Sequence, residues 1–129
     1  SLRHSERYPD DYAALESVSG KGVPVVSVLF SGRPVYANDL INMSDAFIAA
    51  WLPGTEGQGI TDILFRGANG RMAKDFQGRL PFDWPGASCP ETAKKPVLFA
   101  RGYGLKLAKK SNLGRLPEDG VETCPPLAE

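Results

Sequence analysis

Two short apolar runs constrain the fold of this chain more than anything else in it. Val23 to Phe30 is almost continuously apolar and rich in valine, and it stops at the polar turn Ser31-Gly32-Arg33-Pro34. Ala46 to Trp51 is apolar throughout and leads through Pro53 into the glycine-rich turn Gly54-Thr55-Glu56-Gly57-Gln58-Gly59. Apolar runs of this length without polar alternation read as strands covered on both faces, as in a parallel sheet flanked by helices. The pattern predicts that Pro24 to Phe30 and Ala46 to Trp51 are parallel neighbours, joined by a crossover through a short helix or turn at Ala37 to Met43. The expected fold class is α/β, a three-layer sandwich with a mainly parallel sheet.

Around these strands the local signals are helical. Pro9 suits a first helical position, Asp10 and Asp11 complement the positive end of the helix dipole, and Gly20 and Gly22 supply a stop, so a helix is expected from Pro9 to about Ser19. Tyr12, Leu15 and Val18 give it a narrow apolar stripe. A second helix is expected from about Thr55 to Phe65, with Thr55 as N-cap and Ile60, Ile63 and Leu64 facing inward. After Gly67 the alternating rhythm ends. Gly67, Gly70 and Gly78 punctuate a loop or hairpin, and Pro81 places Arg79 to Trp84 at an edge or across the surface. The last apolar run is Val97 to Ala100. Residues 1–106 are read as an α/β domain with an irregular closing segment, and 107–129 as a loosely specified, Pro-rich tail.

Size and charge narrow the function classes. A chain of 129 residues that is 42% hydrophobic supports one core. Its 15 basic residues balance 15 acidic ones, leaving no overall field for nucleic acid or an anionic membrane. Apolar runs of about eight residues fall short of the roughly 20 that a membrane span needs, so a soluble chain is expected. No export signal is legible at the N-terminus. Cys89 and Cys124 lack the spacing of a zinc site, so no metal is expected, and no cofactor motif stands elsewhere. The two cysteines either form one disulfide clipping the tail to the loop after Trp84 or remain thiols, and spacing leaves both open.

The candidate sites each carry a plainer alternative. Gly54-x-x-Gly57-x-Gly59 follows a strand and opens a helix, as an anion cradle would, but it fits neither the dinucleotide fingerprint nor the P-loop, and tight helix-to-strand packing is the favoured reading. Glu56 and Asp62 form a candidate acid/base pair, although a spacing of six puts them on different helix faces. Arg33, at the carboxyl end of a strand, could clamp a carboxylate or simply tie loop carbonyls together. Arg33 and Glu56 are the substrate-binding candidates. His4 is placed in a mobile terminus without catalytic partners. Trp51 and Trp84 are read as core before sugar platforms.

Four ordered blocks carry a resemblance. Val25 to Pro34, Ser44 to Gly57, Gly78 to Pro85 and Leu98 to Leu105 together look like the C-terminal domain of glycoside hydrolase family 3, over about residues 9 to 106. Arg7-Tyr8-Pro9-Asp10-Asp11 is similar to the bacterial, cellodextrin-degrading branch of β-glucosidases and exo-β-glucan glucohydrolases. The resemblance implies a retaining glycosidase in which an Asp nucleophile on an N-terminal barrel domain and a Glu acid/base on a loop of the α/β sandwich share the work. The family's Glu lies in a Gly-Glu-x-x-Tyr-x-Glu type loop upstream of the Pro9 helix, and Ser5-Glu6-Arg7-Tyr8-Pro9 does not match it. No catalytic residue therefore carries over to this chain. The resemblance implies an incomplete fragment whose partners are the barrel domain and the upstream half of the sandwich, with β-glucosides or cello-oligosaccharides as the parent's substrates and a periplasmic or extracellular location. A homodimer through the uncovered flank is a further expectation, and a non-catalytic sugar- or anion-binding or interaction module is the alternative.

Overall fold

The computed structural model describes residues 1–89, 96–109 and 111–118. Over these the chain runs α1 (His4–Arg7), α2 (Pro9–Val18), β1 (Val26–Phe30), α3 (Asn38–Asn42), β2 (Ala46–Trp51), α4 (Gln58–Leu64), β3 (Trp84–Pro85) and β4 (Val97–Phe99). This is an α/β fold. The strands β1 and β2 are parallel neighbours in the register Val26↔Ala46 to Leu29↔Ala49, with α3 in the crossover, as the two apolar runs predict. The second pair, β3 with β4, is antiparallel and short.

Local chemistry explains the boundaries. Pro9 begins α2, Asp10 and Asp11 occupy its first turn, and Gly20 and Gly22 follow it at φ 70° and 81°, where a side chain would be strained. The helix α4 begins later than the Thr55 N-cap predicts: Glu56 N–H donates to the Pro53 carbonyl and Gly59 N–H to the Glu56 carbonyl, so the stretch from Pro53 to Glu56 is taken up in a turn and Gly57 takes the N-cap position without a side-chain cap. Of the expected loop or hairpin, Gly67 and Gly70 form a tight turn closed by a single bridge between Arg66 and Met72.

The core lies on one side of the parallel pair. Leu29, Val35, Ala37, Leu40 and Trp84 form its buried centre, and Tyr12, Leu15, Phe47 and Trp51 pack around it. Val18, the third residue of the expected stripe, is exposed. Cover on both faces of β1 is not found: Leu29 is buried, but Val26 and Phe30 are exposed, Phe30 by 56%. Among the described residues β1 and β2 pair only with each other, so both outer edges are open.

Both terminal stretches are held by the middle of the chain. Leu2 and Arg3 run beside Tyr36 in a parallel bridge, with Tyr36 N–H donating to the Leu2 carbonyl at 2.9 Å and His4 N–H to the Tyr36 carbonyl at 3.0 Å. His4 is therefore not in a mobile terminus. It is 9% exposed, packs its ring tilted against Tyr8 with centroids 4.8 Å apart, and pairs its Nε2 with Asp11 Oδ2 at 2.9 Å. The tail, expected to be loosely specified, returns over residues 115–118 to lie on α3.

Candidate functional site

At the carboxyl end of β1 the chain leaves an open cleft of about 270 Å³, lined by Arg33, Pro34, Asp83, Pro85, Ala87, Cys89 and neighbouring residues. The cleft exists because two turns meet there. Ser31-Gly32-Arg33-Pro34 carries the chain off β1, with Ser31 Oγ donating to the Arg33 carbonyl at 2.6 Å and accepting from its N–H. From the other side comes the segment entering β3, where Asp83 Oδ1 accepts the Arg101 N–H at 2.7 Å. The position, outside the carboxyl ends of parallel strands, is where α/β sheets collect ligands.

The end of β2 is distorted toward the same region. The register slips between Leu29 and Phe30, so that Phe30 faces Trp51, and Trp51 adopts φ 56°. A bulky residue in left-handed conformation costs roughly 1–2 kcal/mol and persists only where surrounding contacts hold it. Those contacts are aromatic: Trp51 meets Phe82 edge-on at 5.4 Å and Trp84 at 5.9 Å. Trp84 itself is 3% exposed and belongs to the core, as expected, while its indole Nε1 has no hydrogen-bond partner among the described residues.

Arg33 is exposed, and among the described residues its guanidinium has no hydrogen-bond or ion-pair partner. The architectural role of tying loop carbonyls is not what it does. A fork of donors without partners, at a strand end and beside a carboxylate-bearing loop, can receive a carboxylate, a sugar hydroxyl or another chain. Glu56 does not line this cleft. Glu56 is exposed and accepts from the Thr55 hydroxyl at 3.5 Å, whereas Asp62 accepts from Gln58 Nε2 at 3.2 Å. The two carboxylates have different hydrogen-bond partners. The glycine turn is also not what was expected. A Cβ at Gly54, Gly57 or Gly59 would meet nothing within 4 Å, so tight packing is not the reason for these glycines; only Gly54, at φ 57°, needs its conformational freedom.

Among the described residues no group of three His, Cys, Asp or Glu side chains could hold a metal ion. No helix among them is long and apolar enough to cross a membrane. Cys89, on the cleft wall, is disulfide-bonded, and Cys124 lies outside the described residues. The clamp that Tyr36, Asn38 and Asn42 place on residues 116–118 was missed by sequence reading, because isolated asparagines in a short helix carry no periodic signal.

Comparison with known proteins gives a consistent set of likenesses. The profile of the Glycosyl hydrolase family 3 C-terminal domain matches residues 3–107. A lysosomal beta glucosidase from Dictyostelium discoideum is 34% identical over 82 residues, which is 62% of this chain and 9% of that protein. A periplasmic beta-glucosidase from Salmonella typhimurium is 33% identical over 72 residues, 55% of this chain and 9% of that protein. The crystal structure of an exo-1,3/1,4-beta-glucanase from a Pseudoalteromonas species superposes with a TM-score of 0.82 at 38% identity, covering 96% of this chain and 16% of that one. The matched part thus spans about a tenth of the curated relatives' length.

Proposed function

The chain belongs to the glycosyl hydrolase family 3 C-terminal domain family, and on that premise we propose that it is the C-terminal α/β piece of a retaining β-glucosidase or exo-β-glucanase, which removes terminal β-D-glucosyl residues from oligosaccharides. The observation that carries this reading is the fit of nearly the whole chain to one part of an exo-glucanase, at an identity well above that of fold likeness alone. The parent's activity needs two carboxylates, one to attack the anomeric carbon and one to protonate the leaving oxygen and later activate water. On this reading neither is supplied here, since the nucleophile belongs to the barrel domain and the Ser5 to Pro9 segment does not match the family's acid/base loop. The barrel domain and the upstream half of the sandwich are the partners this reading requires. It is supported by the open edge of β1 and the exposure of Val26 and Phe30, apolar surface that an adjoining chain segment would cover. In the assembled enzyme Arg33 is read as facing the substrate or the adjoining domain from the cleft. A periplasmic or extracellular parent agrees with the disulfide at Cys89.

The test is an assay of the isolated chain with aryl β-glucosides, beside calorimetric titration with glucose and cellobiose. No turnover is expected. Turnover in a pure sample, abolished by Glu56→Gln, would overturn the reading and make Glu56 a catalyst. Appreciable heat of sugar binding without turnover would favour a self-sufficient binding module instead.

A further inference from the structure

The helix α3 spends its polar residues in an unusual way. In Asn38-Asp39-Leu40-Ile41-Asn42 the first two are almost completely buried, at 1% and 2% exposure, although polar side chains are costly to bury unless they are hydrogen-bonded. Asp39 is occupied by the N-terminal segment. Its Oδ2 accepts from Arg3 Nε and Nη2 and from the Ser5 hydroxyl, and its Oδ1 accepts the Leu40 N–H. Asn38 and Asn42, on either side, are turned to the opposite end of the chain. We propose that Tyr36, Asn38 and Asn42 form a peptide-recognition site for an extended Leu-Pro-acidic segment, occupied in cis by residues 116–118 of this chain, which act as a displaceable strap across α3.

The hydrogen bonds have the pattern of recognition and not of core packing. One amide, that of Asn42, reads both main-chain groups of Leu116: its Nδ2 donates to the carbonyl at 2.9 Å and its Oδ1 accepts the N–H at 2.8 Å. The Pro117 carbonyl receives two donors, Tyr36 Oη at 3.0 Å and Asn38 Nδ2 at 2.9 Å. Four contacts therefore fall on main-chain atoms, which any extended peptide offers. Selectivity comes from three further features. The Leu116 side chain is buried, Pro117 lacks the N–H that would otherwise need a partner there, and the Glu118 carboxylate accepts from Asn42 Nδ2 at 2.6 Å and from Arg115 at 3.0 Å. This division between main-chain affinity and side-chain specificity is shared by other sites that bind extended peptides. Asn38 Oδ1 is buried without a partner among the described residues, an acceptor that residues 116–118 leave unused. Nothing local brings the strap here, because its partners are 74 to 81 residues away in sequence. The side-chain contacts must repay the closure of that loop.

The site is tested in the full-length chain by vacating it from the tail's side. Leu116→Ser removes the buried anchor and leaves every donor and acceptor of the site intact. A labelled peptide of the sequence of residues 111–118 is then titrated against this variant and against Leu116→Ser with Asn42→Ala, followed by fluorescence anisotropy, with hydrogen exchange of the β1–β2 amides as the measure of folding. The peptide is expected to bind Leu116→Ser at least tenfold more tightly than the double variant, with β1–β2 protected in both, since three hydrogen bonds are lost with the Asn42 amide. Equal affinity, or no binding to folded Leu116→Ser, would overturn the site. Loss of β1–β2 protection in Leu116→Ser would also overturn it, because residues 116–118 would then be part of the core and not a strap upon it.

Discussion

The buried carboxylate of Asp39 sets the sharpest expectation at the scale of single residues. It is an acceptor for both Arg3 and Ser5, and Arg3 keeps 27% of its side chain in solvent while Asp39 keeps 2%. The partner left behind decides the cost of breaking such a pair. Arg3→Ala strands a carboxylate in the interior and should cost about 3–5 kcal/mol, as for other half-broken buried pairs. Asp39→Ala leaves a guanidinium that can turn to water, so the loss should be smaller, about 2 kcal/mol. Urea denaturation of the two variants measures the order, and Asp39→Ala proving the costlier would mean that the carboxylate serves the helix more than the ion pair. None of this was legible in the sequence. Arg3 and Asp39 are ordinary surface residues by type, and they meet only because the N-terminal segment returns beside Tyr36. Of the two roles the strand-end position suggests for Arg33, ties to loop carbonyls are not made, and the clamping of a carboxylate stays a proposal.

Among the elements, those defined by a run of one character were readable. The valine- and alanine-rich strands, the crossover between them and the Pro9 helix with its glycine stop lie within a few residues of where the pattern puts them. The beginning of α4 was misplaced because Thr55 has the chemistry of an N-cap but is taken up by the turn at Pro53, a competition between two local hydrogen-bond schemes that composition does not resolve. The one-sided burial of β1 separates two neighbouring side chains energetically. Leu29→Ala empties a closed site among Val35, Ala37, Leu40 and Trp84 and should cost about 2–4 kcal/mol. Phe30→Ala truncates a mostly exposed ring and should stay within about 1 kcal/mol. Equal costs in chemical denaturation would show that the outer face of the strand is covered in solution by a second molecule.

For the whole molecule, the joining of distant stretches through α3 decides how long the native state lasts. The contacts of β1 with β2 and of the Pro9 helix with its neighbours close loops of some tens of residues, while the strap on Tyr36, Asn38 and Asn42 closes one of 74 or more. Contacts so remote in sequence form late, because the entropy of closing the loop is spent before they return anything. Interactions absent from the folding transition state weigh almost wholly on the rate of unfolding. Asn42→Ala should therefore hasten unfolding roughly tenfold while leaving refolding within about twofold, in a stopped-flow series of denaturant jumps. A matching slowdown of refolding would place the strap in the folding nucleus. On the expected outcome, residues 116–118 act as a clock: they do little to bring the domain into being and much to set its lifetime once it has formed.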